Sequence, residues 1–199
     1  MNPATVEQMP LVPSRRPFPG FAMTTLVVVG LLTAGTASAT TPPAWANRLG
    51  PGVSVLAPAP QPPGHSSPGT AVEGLLNALN SGKLVKACPY YQPAAQAACR
   101  TGLATATVAP GSVAKNVGLG YIAIDGDRAL VGLTGTFCQP GGSPKCITNH
   151  DPAAIFSSTV TFAHLWVQQV VLSNSPKLVY SLQPCVKVGR RWYVYSSSD

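Results

Sequence analysis

The sequence predicts an α+β domain. Helical signals come first, over roughly residues 70–103, and an antiparallel, hairpin-rich run of strands follows from residue 113 towards the C-terminus. Segregated helices and strands argue against alternating β-α-β units. Five cysteines in 199 residues add the expectation of a small disulfide framework.

The first helix is read from Thr70-Ala-Val-Glu73, a capping-box pattern in which the threonine hydroxyl and the Glu73 side chain each take a backbone amide. Val72, Leu75, Leu76 and Leu79 recur at helical spacing behind it, and Gly82 supplies a stop. A short second helix is expected from Ser81 through Leu84, Val85 and Cys88. A third runs over residues 93–103, where Pro93 suits a first-turn position.

After Pro110-Gly111 the period changes. Residues 113–124 and 128–138 read as two strands joined by an Asp125-Gly126 hairpin turn. Gly118 and Gly120 inside the first strand mark bulges or curvature. Residues 139–152 read as a Gly- and Pro-rich loop. Phe162, Leu165, Trp166 and Val170 fit a short helix, although their β-branched neighbours leave a strand open. Residues 177–188 form a further strand, Gly189-Arg190 a turn, and residues 191–196 the closing strand. There Trp192 and Val194 alternate with Tyr193 and Tyr195, so one pair faces the core.

Residues 1–39 read as a signal peptide or a membrane anchor. Arg15 and Arg16 precede an uncharged apolar run from Phe21, and Ala37-Ser38-Ala39 offers small residues for a cut before Thr40. Counted from Phe21 to Ala39, the uncharged stretch is 19 residues, near the roughly 20 needed to span a bilayer. Residues 21–39 would therefore touch a membrane if they are retained. Ser14-Arg15-Arg16-Pro17-Phe18 resembles a twin-arginine export motif, interrupted by proline. Residues 40–68 hold eight prolines and read as a disordered, extended spacer. The folded domain is expected over residues 69–199.

Cys88 and Cys99 lie eleven apart around Pro89 and Pro93, and Cys138 and Cys146 flank a loop that must turn. Local pairing within each couple is favoured and leaves Cys185 as a buried thiol in a strand. Five cysteines nonetheless allow fifteen two-bridge pairings, among them Cys138 with Cys185. Such a framework belongs to an oxidising compartment, so the protein is expected to be secreted or envelope-associated.

Thirteen Lys and Arg against six carboxylates give a net charge of +7, yet the basic residues are scattered, with no basic helix or aromatic-basic alternation that would point to nucleic acid. No phosphate-binding glycine loop, dinucleotide fingerprint or G-x-S-x-G motif occurs, and no cofactor is implied. Cys146, His150 and Asp151 have the types of metal ligands, but a disulfide would consume the thiol, so no metal is expected.

Three stretches carry a family resemblance. They are residues 71–82 (AVEGLLNALNSG), the Ile124-Asp125-Gly126-Asp127-Arg128-Ala129 hairpin and the closing Val188-Gly189-Arg190-Arg191-Trp192-Tyr193-Val194. Together they resemble exported actinobacterial-type members of the nuclear-transport-factor-2-like, or cystatin-like roll, superfamily. The resemblance implies N-terminal helices packed on a curved antiparallel sheet, and a pocket within it. Enzymes of that superfamily (isomerases, dehydratases, cyclases) use an Asp, often with His or Tyr, inside the roll. Asp151 and His164, with Tyr121, are the residues onto which such chemistry would fall.

Each has a plainer reading. Asp151 ends a polar loop, His164 lies on an apolar segment, and Glu73 is already taken by its cap. The leading expectation is thus a noncatalytic domain that binds a protein, a cell-wall component or a small apolar ligand. The alternative is a small pocket enzyme.

Overall fold

The computed structural model describes residues 42–109, 113–138, 146–151, 156, 160–173 and 182–196. The signal peptide or membrane anchor expected at residues 1–39, residues 139–145 of the expected loop and the first residues of the strand expected from residue 177 lie outside them.

The domain is α+β, as the sequence implies. In chain order it comprises a 3₁₀ helix (Ala44–Leu49), β1 (Ser54–Leu56), α1 (Pro68–Asn80), a second 3₁₀ helix (Leu84–Tyr90), α2 (Pro93–Leu103), β2 (Ala114–Asp125), β3 (Arg128–Cys138), β4 (Cys146–Asn149), α3 (Phe162–Ser173), β5 (Leu182–Val188) and β6 (Arg191–Val194). The six strands form one antiparallel, open sheet in the order β1-β2-β3-β5-β6. β4 joins the far half of β3, from Gly135 to Cys138, while β5 takes the near half from Arg128 to Gly132.

β2 and β3 turn at Gly126-Asp127, one residue beyond the expected Asp125-Gly126 because Asp125 still pairs with Arg128; Gly126 takes φ +56°, and β5 and β6 turn at Gly189, with φ +61°. Two register shifts put an extra residue on β2, one between Lys115 and Gly118 and one between Leu119 and Ile122. At the first, Asn116 adopts φ +53° and faces Gly135 (φ +111°), where a Cβ would come within 2.6 Å of the Asn116 carbonyl oxygen. Only glycine fits opposite that bulge.

Alternation along the strands divides the apolar residues between two faces. On one, Val72, Leu75 and Leu76 of α1 pack over Ile122, Ala129, Val131, Leu133, Cys185 and Val194. On the other, Trp45, Leu49, Phe162, Leu165 and Trp166 cover Ala123, Leu130 and Leu182, with Phe156 between them. Helices thus lie on both faces of the sheet, where one helical layer is expected from the sequence. The roll geometry does not follow from this open sheet.

The expected spacer is part of the fold. Ser54, Val55 and Leu56 pair with Ile124, Ala123 and Ile122 of β2, and Trp45 is 9% exposed. At the opposite edge the Trp192 amide donates to the His65 carbonyl at 2.9 Å, and His65 Nδ1 donates to the Trp192 carbonyl at 2.8 Å. The Gln92 amide donates to the Val194 carbonyl beside it at 3.0 Å. Residues 54–65 therefore run from one sheet edge to the other and occupy donors and acceptors that would otherwise recruit a foreign strand.

Both local disulfides are formed. Cys88–Cys99 ties the second 3₁₀ helix to α2 with its Cα atoms 5.6 Å apart, and Cys138–Cys146 closes the β3–β4 connection at 4.0 Å. Cys185 is a free thiol with no exposed surface.

Candidate functional site

The expected catalytic residues do not form an interior constellation. Asp151 follows β4 and is exposed. His164 is exposed on the first turn of α3, where its amide donates to the Thr161 hydroxyl at 3.4 Å. Tyr121 is half-buried with its ring edge-on to Trp45, the centroids 5.1 Å apart. Trp45 also stacks on Phe156 at 5.1 Å, so aromatic rings fill the space beside Tyr121. Cys146 is in a disulfide, and no group of three or more His, Cys, Asp or Glu among the described residues could hold a metal ion.

The structure instead exposes a residue that the sequence assigns to a cap. Helix α1 starts earlier than its Thr70-to-Glu73 pattern implies, with Ser67 as N-cap and Pro68 in the first turn. The Thr70 amide donates to Ser67 Oγ at 3.1 Å, and the Ser67 amide donates to Thr70 Oγ1 at 3.0 Å. This closes a capping box of the same logic one turn upstream. Gln61 also bonds the Ser67 hydroxyl. Glu73 is then released to the helix surface.

There Glu73 borders a recess of about 250 Å³, lined further by Pro58, Ala59, Pro60, Val117, Gly118 and Leu119. Three segments build it. The prolines form one wall with fixed φ, α1 provides the carboxylate, and the bulged start of β2 provides Val117 and Leu119. Burial raises the Glu73 carboxyl above its ordinary range. Glu73 has no hydrogen bond or ion pair among the described residues, although cations outnumber carboxylates in the chain by thirteen to six. A larger hollow of about 700 Å³ runs along Pro42, Ala46 and residues 50–55, but no ionisable side chain among the described residues lines it.

Tyr90 leans across α1 at Gly74 and stacks with His65, which also meets Tyr193 at 4.6 Å between centroids. This aromatic seam holds the strap of residues 54–65 against the helix that carries Glu73. On the opposite face, Trp45 Nε1 and Gln169 Oε1 are buried without a hydrogen-bond partner.

Sequence reasoning missed Glu73 because Thr70 and Glu73 satisfy the capping pattern by themselves. The upstream signal was nevertheless present: Ser67-Pro68 is an N-cap followed by a first-turn proline. His65 carried no local signal, since its partners Tyr90, Trp192 and Tyr193 are remote in the chain.

Compared with protein-family models, with curated proteins and with solved structures, the chain matches none. Two disulfides fit an oxidising, extracellular environment. No helix among the described residues is long and apolar enough to cross a membrane.

Proposed function

We propose that this chain is an exported, noncatalytic binding domain that acts at the cell envelope or outside the cell. One observation carries the reading: among the described residues that line it, the recess beside Glu73 has a single ionisable side chain and no second acid, base or nucleophile. General acid–base catalysis needs a positioned partner for proton transfer, whereas binding needs only shape and one complementary charge. The two disulfides support export, and the order of helices and bulged strands is compatible with a cystatin-like roll. The ligand is a protein, a wall component or a small molecule with an apolar part. The isomerase-type alternative loses its support, because Asp151 and His164 are both exposed.

Fractionation of producing cells tests this reading. The protein is expected in the medium or the envelope fraction, with an intact mass set by a cut before Thr40 and four cysteines oxidised. Recovery only from the cytoplasm, at full mass and with five reactive thiols, contradicts it.

A further inference from the structure

We propose that the recess between residues 58–60, α1 and the bulged start of β2 binds an N–H-bearing cation on an aliphatic stem, an alkylammonium group, with Glu73 as its acceptor. This rests on the binding reading above and names the chemistry of its ligand.

The lining sets the polarity. Proline, alanine, valine, glycine and leucine side chains offer no donor, and among the described lining residues the two carboxylate oxygens of Glu73 are the only polar side-chain atoms. Pro58 and Pro60 also lack an amide hydrogen, so that wall presents no N–H at either proline. A site with acceptors and few donors repels anions and rewards a ligand that brings its own N–H groups.

The lining also sets the size and shape. At about 30 Å³ per water, the recess has room for roughly eight water-sized groups, which suits an ammonium on a stem of four or five carbons. Val117, Leu119 and the proline rings would cover the stem, as Leu119 is already buried and Val117 half-buried.

Charge supplies the third argument. Glu73 is the only glutamate after residue 7, and it stands unpaired and half-buried in a chain rich in cations. A structural carboxylate in such a chain would be expected to take a lysine, an arginine or a helix cap. Glu73 has none of these among the described residues. A half-buried carboxylate in an apolar recess, without a partner among the described residues, marks a place where a partner arrives from outside. The walls are preorganised for this, since Pro58 and Pro60 have fixed φ and the bulge at Asn116 is locked by Gly135.

The ammonium has two natural sources, a free aliphatic amine and a lysine side chain on a peptide or wall polymer. Titration of the disulfide-intact protein by NMR or calorimetry separates them, with pentylammonium and Nα-acetyl-lysine amide as the two probes. At least one is expected to bind with a dissociation constant of about 1 mM or tighter. Pentanoate and tetramethylammonium, which lack the cation or its N–H groups, are expected to bind at least about tenfold more weakly. Tighter binding of pentylammonium assigns the free amine, and tighter binding of the lysine amide assigns the side chain.

Glu73→Gln is expected to lose affinity by about tenfold or more, whereas Asp151→Asn is expected to leave it unchanged. Equal affinity in Glu73→Gln, equal binding of pentanoate, or no binding of either ammonium at tens of millimolar overturns the assignment. Disulfide count and melting temperature confirm that Glu73→Gln has folded. A null titration with an exported, envelope-retained protein overturns the ammonium site alone. Cytoplasmic retention overturns the broader reading.

Discussion

Ser67 and Thr70 close on each other across the first turn of α1, each side-chain oxygen accepting the other's backbone amide at 3.1 and 3.0 Å. Thr70 Oγ1 also donates to the Ser67 carbonyl at 2.8 Å. This reciprocal pair satisfies the helix start and leaves Glu73 with no capping duty. Ser67→Ala is therefore expected to cost about 1 kcal/mol in urea denaturation, the usual loss of an N-cap. An unchanged midpoint would return the cap to Thr70 and Glu73.

Gly74 tests the seating of Tyr90. A helical Gly→Ala change ordinarily gains up to about 1 kcal/mol. Here a Cβ would fall inside the Tyr90 ring, so Gly74→Ala is expected to destabilise by about 1–3 kcal/mol. In a Tyr90→Ala background the same change should become neutral or favourable. A stabilising Gly74→Ala in the otherwise unaltered protein would show that the ring is seated elsewhere.

Trp45 tests whether the proline-rich segment belongs to the fold. Its ring is buried between Tyr121 and Phe156, which predicts a loss of about 3–5 kcal/mol for Trp45→Ala. A free spacer would give no change in the denaturation midpoint.

The cysteines make a countable prediction. Cys185 has no exposed surface and burial pushes its thiol up, so native protein should take no alkylating label. Guanidinium without reductant should reveal one label, and reduction should reveal five. Labels on all five before reduction would contradict both bridges and the compartment inferred from them.

The sequence made the sheet's centre legible because its signals are local. Alternation over Arg128–Cys138 places β3 at its observed bounds, the turn before it falls at Gly126-Asp127 instead of Asp125-Gly126, and Pro93 opens α2 where expected. Short loops between paired cysteines likewise made both bridges readable. What was hidden depends on distant partners. Prolines argue against strand structure, yet Ser54, Val55 and Leu56 fall between them and find an edge on β2 nearly seventy residues away. Valines in residues 162–173 weaken a helix reading by propensity, and packing of Phe162, Leu165 and Trp166 on the sheet overrides it. The grouping of Asp151, His164 and Tyr121 came from a resemblance, and the fold leaves Asp151 and His164 exposed while Tyr121 packs edge-on to Trp45.

The central claim is that Glu73 is held half-buried and unpaired for a ligand rather than for the fold. Melting curves of the unliganded protein and of Glu73→Gln between pH 3 and pH 8 test it most directly. Burial raises the folded-state pKa of Glu73 above its unfolded value, so the folded state holds that proton more tightly. Its contribution is fully present below the unfolded pKa and is lost as pH rises through the folded value. At pH 7 the charged carboxylate is a burden, tempered because the group is still largely solvated. Glu73→Gln is accordingly expected to melt about 1–3 °C higher at pH 7, with the two curves converging below about pH 4. A variant that melts lower than the unaltered protein at pH 7 would make Glu73 a structural residue and contradict the account.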